Sequence, residues 1–535
     1  MHWADHTASL LVARDPKQVI AAGITPSGEF HIGHLREILT GEMIARSCSN
    51  LGSDSEFLFV VDSMDPLRTV YGFLSDDYEQ YTGWPLHAVP APDLNGRPDS
   101  GLGSYAAHFL QPFLHALAQI GVEPHLVWNH ESYDAGRFES TIRHAIEKRS
   151  EIRRIIEQGS GRDLPEDWFP YSPIGTNGSL DGVTVTGWED PFVLWRDASG
   201  NQGRADIRRA EGKLPWRIDW PARWGFLGIT CEPFGKDHAA AGGSYDTGVP
   251  IAELLGHSAP HPVPYEWINL KGAGAMSSSA GNAVGPIEAL ELVPPEILRY
   301  LIARSKPGRH IEFDTGSALI EMADEYERNV DKVVNNSLDD PADGELSRRQ
   351  RIAIEVERAR IQLSQIDVHA DPADSIAGVS FRHLALLAQI RSDDTDVWTS
   401  LTRSGHLVGT PGNVLRGRLD RMRAWIASKH FPEPFRLRPR NEPSETAMQL
   451  IAAEDRAFLL DLVTALRRCE WLDETINDHI CVIAREHGLR LREAFVLLYW
   501  VVLDQDYGPR LASVLAEMGR DAVVDLIRLA AGSTD

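Results

Sequence analysis

The early alternation of buried strand, turn and helix constrains the fold of this chain more than any other feature. Residues 19–39, VIAAGITPSGEFHIGHLREIL, predict an apolar strand, a turn broken by Gly and Pro, and a helix that begins near His31. Residues 55–68, SEFLFVVDSMDPLR, predict a second buried strand that ends in Asp62 and Asp65. Strand, helix and strand in this order indicate a parallel sheet, whose ligands bind beyond the carboxyl ends of the strands.

The start of that helix has the chemistry of an anion site. His31 and His34 can both lie at its N-terminus, where unpaired backbone N–H groups and the positive end of the helix dipole favour a phosphate. Gly28 and Gly33 have no side chain, so a flat ligand could approach the backbone closely. The alternative interpretation is a helix end capped by polar residues, with histidines that have no further role.

The length of the chain and the changes in its pattern predict several domains. With 535 residues it is too long for one hydrophobic core, and about three domains are expected. The further predicted elements are a loop over 84–104, a helix over 105–120 bent at Pro112, a helix over 138–158, renewed sheet over 216–235 and mainly helices beyond Pro294. The predicted fold class is α/β, a Rossmann-type parallel sheet with an α+β insertion, followed by an all-α C-terminal half. The predicted domains are the sheet domain at 1–95 and 216–315, the insertion at 96–215 with a turn-rich part at 160–215, a helical domain at 316–440 and a C-terminal helical domain at 441–535.

Composition restricts the expected location and partners. The N-terminal residues show no apolar signal segment, and no run approaches the ~18 apolar residues that span a bilayer. Four cysteines without a C-x-x-C pair predict reduced thiols in the cytoplasm and no cysteine-built zinc site. The formal net charge of −24 argues against a protein that coats nucleic acid non-specifically.

One local stretch reverses that charge. Residues 414–440, called the basic stretch below, hold eight Lys/Arg and two acids, and they include Trp425, Phe431 and Phe435. One interpretation is the solvated face of a helix. The other is a patch that contacts phosphates and stacks its aromatic side chains on bases.

Two short loops, HIGH at 31–34 and MSSS at 276–279, both follow strands of the predicted sheet. In a nucleotidyl-transfer site, a helix N-terminus holds the phosphates of ATP and a mobile Ser/Gly loop closes over the pyrophosphate. The pairing of HIGH with a KMSKS-like loop resembles the class I aminoacyl-tRNA synthetases. The opening MHWAD and six motifs in order resemble the class I lysyl-tRNA synthetases across residues 1–315: TPSGEFHIGHLRE, DSMDPLR, LPWRIDWPARW, EPFGKDHAAAGGSYDTG, PYEWINLKG and PPEILRYLIARSKPGRHIEFD.

The resemblance implies ATP-dependent ligation of L-lysine to lysine tRNA through a lysyl-adenylate, with ATP as a substrate and Mg²⁺ as its ion. It implies that the helical half, including the basic stretch, holds the anticodon stem and loop. The implied catalytic residues are His31, His34, Ser277, Ser278 and Ser279. The implied ATP-binding residues are Gly28, Gly33, Asp237, Gly242 and Met276. The implied lysine-binding residues are Gly23, Thr25, Trp220, Cys231, His238 and Tyr265.

The ε-ammonium of a bound lysine needs a carboxylate or several strong acceptors, because an unpaired buried charge is costly. Glu232 and Asp219 are the candidates in the sequence. Structural alternatives stay open for two implied residues, since Trp220 could belong to the core and Asp237 could cap a helix.

The loop at MSSS departs from the family's pattern. Ala275 and Ala280 flank its core, whereas KMSKS-like loops usually carry at least one lysine there. Loss of one charge-stabilising donor typically costs about 10²–10³ in rate. Lys271, Lys236 and Lys213 are the candidates to compensate, and serine hydroxyls and backbone N–H groups can also bind phosphate.

Two other departures concern the insertion and the HIGH motif. Relatives often hold the insertion with C-x-x-C zinc knuckles, but Gly175 and Gly178 occupy the first pair here, so no structural zinc is expected. His34 stands where this family often has asparagine, and both side chains can hydrogen-bond a nucleotide.

Lysine–tRNA ligation is the leading functional hypothesis, and two alternatives differ from it. The altered MSSS loop suggests a paralogue that activates lysine for another acceptor. A third hypothesis is a non-catalytic tRNA-binding protein.

Overall fold

The chain divides, in this computed structural model, into two compact units. The first consists of Met1–Phe313 and Lys332–Pro372, and the second of Asp314–Asp331 and Ala373–Asp535. The structure describes residues 1–271, 284–335 and 347–532, together with the backbone alone of residues 274 and 275; at position 434 it likewise describes the backbone alone.

All strands of the described residues belong to the first unit. They are β1 (Lys17–Ile24), β2 (Asp54–Val61), β3 (Pro90–Pro92), β4 (Pro98–Ser104), β5 (His125–Trp128), β6 (Ser172–Pro173), β7 (Val183–Glu189), β8 (Phe192–Asp197), β9 (Gln202–Asp206), β10 (Gly212–Lys213), β11 (Cys231–Gly235), β12 (His261–Tyr265), β13 (Ile268–Leu270), β14 (Gly274–Ala275) and β15 (Ile311–Phe313). The principal sheet has the order β12-β11-β1-β2-β5, and each neighbouring pair is parallel. The predicted Rossmann-type parallel sheet is therefore confirmed.

Helices occur in both units. They are α1 (Trp3–Val12), α2 (Ile32–Asn50), α3 (Tyr105–Gln119), α4 (Asn129–Asp134), α5 (Glu139–Glu147), α6 (Arg149–Ser160), α7 (Trp216–Leu227), α8 (Lys236–Ala239), α9 (Ser244–Leu254), α10 (Pro286–Leu292), α11 (Pro295–Ala303), α12 (Ser317–Val334), α13 (Arg348–Ser364), α14 (Phe381–Ile390), α15 (Asp394–Arg403), α16 (Asn413–Ala427), α17 (Glu445–Leu450), α18 (Ala453–Leu466), α19 (Asp473–Glu486), α20 (Leu491–Leu503), α21 (Leu511–Met518) and α22 (Arg520–Ala530). Short 3₁₀ turns cover Asp76–Tyr81, Pro372–Ser375 and Glu433–Phe435. None of the helices in the described ranges is long and apolar enough to cross a bilayer.

The centre of the principal sheet explains where its ligand edge lies. Residues 18–22 of β1 and 58–61 of β2 are continuously buried, as expected for strands covered on both faces. The register pairs Lys17 with Asp54 and Ile24 with Val61, so the two strands end level with each other. Their polar exits, Thr25 and Asp62, therefore lie side by side at the carboxyl edge.

The structure corrects several predicted local elements. Residues 216–227 were expected in the sheet but form helix α7, because Trp216, Trp220 and Trp224 recur every fourth residue on one helical face. The predicted loop over 84–104 contains the antiparallel hairpin β3–β4. The helix predicted over 138–158 is divided between α5 and α6. The helix over 105–120 is confirmed, with Pro112 inside it.

Strand β5 lies within the predicted insertion, yet it pairs with β2 in the principal sheet. Those four residues therefore belong to the sheet, and the remaining domain boundaries stay predictions. The turn-rich part contains the antiparallel sheet β7-β8-β9.

Hydrogen bonds to one aspartate stabilise the turn at the position where relatives often have a zinc knuckle. Asp197 accepts bonds from the Thr176 hydroxyl and from the backbone N–H groups of Ser199 and Asn201. Gly178 has a φ of +82°, and a Cβ there would lie 2.5 Å from the Trp84 ring. A cysteine at this position would therefore clash with the tryptophan, and the expectation of no zinc stays a prediction.

A small sheet of order β14-β13-β15 stands beside the principal one. Strand β13 is parallel to β15 and antiparallel to β14. Residues 276–279, the MSSS motif, lie outside the described residues.

The second unit is helical throughout its described residues. One core cluster combines side chains of α18 to α22, including Phe458, Leu462, Ile480, Leu498 and Ile527, each 0% exposed. The all-α C-terminal half predicted from the sequence is confirmed.

Candidate active site

The HIGH residues form the N-terminus of α2, as predicted. His31 is the N-cap residue, and its Nδ1 accepts the N–H of Gly33 at 3.1 Å. His34 Nδ1 in turn accepts the N–H of His31 at 3.1 Å, and the two rings lie 4.1 Å apart. A Cβ at position 33 would lie 2.6 Å from the His31 ring, which explains the glycine.

Both histidines are neutral in the substrate-free protein at pH 7. Burial lowers the pKa of His31 to about 4. Burial and the neighbouring His31 lower the pKa of His34 to about 3. Neutral imidazoles can donate a hydrogen bond to a phosphate, but they supply no fixed positive charge.

Gly28 precedes these histidines in the turn after β1. A Cβ there would lie 3.2 Å from the Tyr71 ring, so the glycine leaves room for that aromatic side chain. The space left by the missing side chain of Gly28 is thus partly filled by Tyr71 of the protein itself. The ATP-binding role of Gly28 stays a prediction.

A cavity of about 600 Å³ opens at the carboxyl edge of β1 and β2. Gly23, Thr25 and His238, three of the predicted lysine-binding residues, line it together with Asp62 and Asp65. Its outer wall includes Ile156, Arg162, Leu164, Trp168 and Trp216, contributed by α6, the following loop and α7. Three of the six predicted lysine-binding residues therefore line one cavity, and their role stays a prediction.

Carboxylates dominate the floor of this cavity. Asp62 is 2% exposed and forms a buried ion pair with Arg223. Asp65 accepts the Lys213 ammonium at 2.5 Å and the Thr25 hydroxyl at 2.7 Å. Burial raises the pKa of Asp62 to about 6 despite Arg223. Burial also raises the pKa of Asp65, but the neighbouring Lys213 outweighs this effect and holds the pKa of Asp65 below its ordinary value.

The two candidates for the ε-ammonium differ in their surroundings. Asp219 is fully buried, accepts the Tyr133 hydroxyl at 2.5 Å and lies 3.5 Å from Arg223 Nε. Glu232 accepts Trp224 Nε1 at 2.7 Å, and burial raises its pKa to about 7. A Cβ at Gly23 would lie 3.9 Å from Glu232 Oε1. Glu232 therefore sits against the strand end that lines the cavity, whereas Asp219 is already paired.

Sequence reasoning missed Glu37, on the second turn of α2. Its Oε1 accepts the N–H of Gly23 at 2.8 Å, and its Oε2 accepts the Tyr265 hydroxyl at 2.6 Å. Burial raises the pKa of Glu37 to about 8. The sequence feature that could have indicated Glu37 is a carboxylate within the helix that follows the HIGH motif.

Three other predicted lysine-binding residues lie behind the cavity surface. Trp220 is 3% exposed and packs at 5.3 Å from the His238 ring, so it serves the core as well as the back of the site. Tyr265 is 8% exposed and points to Glu37. Cys231 is 0% exposed and begins β11, opposite Ile20 in the middle of β1. These positions favour a role in shaping the cavity from behind rather than in direct contact with a ligand. The lysine-binding roles of the three residues stay predictions.

The predicted ATP-binding residues Asp237 and Gly242 lie on α8 and on the following turn. Asp237 is exposed, and Gly242 has a φ of +73° and donates its N–H to Asp246 Oδ2 at 2.9 Å. A Cβ at Gly242 would lie 2.4 Å from the Gly159 carbonyl oxygen, which fixes glycine there. Met276, Ser277, Ser278 and Ser279 lie outside the described residues.

The charges of the cavity are segregated. Five carboxyl groups, those of the buried Asp62, Asp219 and Glu232 and of the half-buried Glu37 and Asp65, lie at or behind the cavity surface together with two buried cations, Lys213 and Arg223. Arg68, Arg162 and Arg217 line the outer part instead. Such a site suits a ligand with ammonium groups at one end and anionic groups at the other.

A family model described as tRNA synthetases class I (K) matches residues 1–356. The chain belongs to the class I tRNA synthetases. The family inferred from the motifs is thereby confirmed. Among curated relatives of this synthetase, the lysine–tRNA ligase of Thermoplasma acidophilum is 36% identical over 99% of this chain and 98% of its own length. That of Archaeoglobus fulgidus is 37% identical over 99% of this chain and 100% of its own.

A solved structure, the glutamate tRNA ligase of Elizabethkingia meningosepticum, is similar to this synthetase over 97% of the present chain and 100% of its own. The TM-score is 0.41 at 14% identity.

In the second unit of the synthetase, at least four of the eight cations of the basic stretch form ion pairs with three acids. Arg418 is 2% exposed, so its ion pair is buried, whereas the others are at the surface. The pairs are Arg418–Glu327, Arg423–Asp394, Arg436–Glu433 and Arg438–Glu433.

The aromatic residues of the basic stretch differ in accessibility. Trp425 is 0% exposed and donates Nε1 to the Thr315 carbonyl at 2.8 Å, and Phe431 is 5% exposed. The interpretation that these two side chains stack on bases is wrong, because both are packed inside the unit. Phe435 is 37% exposed and remains accessible.

Proposed function

We propose that this protein is a lysine–tRNA ligase, which activates L-lysine with ATP and transfers the lysyl group to lysine tRNA. Its curated relatives of that name match almost its entire length. The observation that carries the choice of amino acid is the buried carboxylate excess at the edge of β1 and β2. A buried ammonium needs such partners, and a neutral or acidic side chain would leave them unpaired.

Lysine would enter with its ammonium groups toward the carboxylate floor. Glu232 is the proposed partner of the ε-ammonium, and Asp65, already held by Thr25, lines the same cavity. Trp216 and Trp168 line the same cavity and offer apolar surface to the aliphatic stem. Such a pocket rejects an amino acid that lacks the ammonium group, because the buried polar groups of the protein would then stay without a partner.

ATP would lie on the N-terminus of α2. The neutral rings of His31 and His34 donate to phosphate oxygens, whose charge in turn raises the pKa of both rings. The backbone N–H groups of Ile32 and Gly33, expected from the sequence to be unpaired, already donate to the Val284 carbonyl and to His31 Nδ1. Mg²⁺ enters as the ion of MgATP, because it prefers phosphate and water ligands.

Activation is a displacement at phosphorus. A carboxylate oxygen of lysine attacks the α-phosphorus, the bond from that phosphorus to the α–β bridging oxygen breaks, and pyrophosphate leaves with the electron pair. No proton has to move, so the protein's part is to position the reactants and stabilise charge.

Transfer is an acyl substitution. A hydroxyl oxygen of the terminal ribose of the tRNA attacks the lysyl carbonyl carbon, the bond to the AMP oxygen breaks, and the hydroxyl proton passes to solvent or phosphate. The second, helical unit is proposed to bind the anticodon arm through the exposed part of the basic stretch. Cytoplasmic location is part of this proposal, because the reaction serves translation.

The test is lysine-dependent ATP–pyrophosphate exchange, followed by charging of lysine tRNA with labelled lysine. Ornithine, arginine, glutamate and norleucine are the matched amino acids. The proposal expects exchange and charging with lysine and much lower rates with norleucine, which lacks the ε-ammonium. Exchange without charging would indicate another acceptor, and absence of both with tRNA binding retained would indicate a non-catalytic protein.

A further inference from the structure

The altered MSSS loop raises the question of which cations meet the pyrophosphate. The lysines expected to compensate are engaged elsewhere. Lys213 is 5% exposed and is bound to Asp65. Lys236 pairs with Glu266 at 2.7 Å and lies 5.1 Å from the Trp267 ring centre. Lys271 follows β13 and also has a partner.

A different cationic segment, residues 304–310, is fixed against the HIGH helix. Arg36 of α2 is 1% exposed, and its Nη2 donates to the carbonyls of Lys306 at 2.8 Å and of Pro307 and Arg309 at 3.2 Å each. Arg36 lies one helical turn beyond Ile32, on the same face. The N–H of Ile32 donates to the Val284 carbonyl at 3.0 Å, so the chain returns to this face just after the MSSS region.

The register of the small sheet points to the same place. Strands β13 and β15 are parallel, and their first residues, Ile268 and Ile311, pair with each other. Residues 304–310 lead into β15, so they reach the small sheet at the N-terminal end of β13. Strand β14 is antiparallel to β13, with Gly274 opposite Leu270 and Ala275 opposite Asn269. It therefore runs toward that same end as it enters the MSSS motif.

Two cations of this segment, Lys306 and Arg309, are not neutralised by an ion pair within the described part of the chain. Both side chains are exposed. Arg36 behind them has only carbonyl acceptors, and its Nε and Nη1 have no hydrogen-bond partner in the same described part of the chain. Burial lowers the pKa of Arg36 only to about 10, so it stays charged at neutral pH.

We propose that Lys306 and Arg309 contact the β- and γ-phosphates of ATP and stabilise the leaving pyrophosphate, in place of the lysines that the MSSS loop lacks. Arg36 acts as a positioning residue, since it holds the backbone that carries both cations. The inference rests on the proposed activation step, in which the charge of the departing pyrophosphate grows as its bond to the α-phosphorus breaks.

The first experiment substitutes Lys306→Met, Arg309→Met and both together, and it measures lysine-dependent exchange and the affinities for ATP, AMP and lysine. Each single change is expected to lower the exchange rate about tenfold and the double change about 10²-fold. ATP affinity falls by a similar factor, whereas AMP and lysine affinities stay at the wild-type level. Lys306→Arg should retain most of the rate, and Ala275→Lys should restore part of it in the Lys306→Met protein.

Lys17→Met is the matched control, because Lys17 is an exposed cation at the opposite end of β1. Unchanged exchange and ATP affinity in the double variant would overturn the inference, and so would an equal loss of ATP and AMP affinity. A wild-type protein that shows no exchange but binds ATP through these two residues would refute the proposed function and leave this inference standing. For Arg36→Lys we expect a higher KM for ATP with an unchanged lysine affinity; a uniform loss of both would reduce Arg36 to a structural residue.

Discussion

The carboxylate floor of the cavity and the basic stretch are both clusters of like charge, but they differ in how their charges are paired with charges of opposite sign. In the first, five carboxyl groups share two buried cations, so more carboxyl groups are present than cations to pair with them. Burial raises the pKa of Glu37 to about 8 and of Glu232 to about 7, which keeps part of these groups protonated in the empty protein. In the second, acids distant in sequence, such as Glu327 and Asp394, neutralise cations that look free in the local sequence. A charge cluster therefore predicts a binding site only when its spatial neighbours leave it uncompensated.

The largest expected effect comes from breaking the neutralised cluster. Arg418→Met should lower the free energy of unfolding of the protein by about 3–5 kcal/mol, because Glu327 then keeps a buried charge without its partner. Urea unfolding followed by circular dichroism measures this. The double substitution with Glu327→Met should recover most of the loss. If Arg418→Met left stability unchanged and lowered only tRNA affinity, the cation would belong to the binding surface.

The next effect tests the uncompensated cluster. Glu232→Gln should lower kcat/KM for lysine about 10²-fold through a higher KM, because it keeps the shape and removes the charge that meets the ammonium. Steady-state exchange at varied lysine measures this, and the KM for ATP should not change. Glu56→Gln is the control, an exposed carboxylate near the other end of β2. An equal loss with Asp219→Asn but none with Glu232→Gln would reassign the partner.

The sequence predicted the two clusters unequally well for a physical reason. The strand ends, the HIGH helix and the polar residues after β2 are local patterns, and they lie where predicted. Glu37 was missed because a glutamate within a helix usually faces solvent, and only the fold turns it toward Gly23 and Tyr265. The partner of Arg418 lies 91 positions away, which no local pattern reveals.

A smaller effect concerns pH. The pKa of Glu232 is about 7 and that of Glu37 about 8, both raised by burial, so the empty protein holds protons that the unfolded chain releases near pH 4.5. Its stability should therefore fall as pH rises through these values, and a bound ammonium should offset the loss. Lysine affinity should increase about tenfold between about pH 6 and 8, with proton release. Calorimetry in buffers of different ionisation enthalpy measures both; a flat profile would show that neither carboxyl group meets lysine.

The smallest effect comes from releasing paired cations at the surface. Glu433→Gln frees Arg436 and Arg438, so tRNA affinity should rise about twofold to threefold at low salt and lose this gain at high salt. Filter binding at several salt concentrations measures the change. Glu442→Gln removes an exposed acid just outside the basic stretch and serves as control. Equal gains in the two variants would mean that only net charge matters.

Helix α2 touches both halves of the reaction. His31 and His34 lie at its first turn, where the phosphates of ATP are proposed to bind, and one turn later Glu37 holds the end of β1 at Gly23. If ATP and lysine bind as proposed, a shift of this helix on binding one substrate would be transmitted to the other site. The two affinities are then cooperative, and by reciprocity any factor by which lysine tightens ATP is the factor by which ATP tightens lysine.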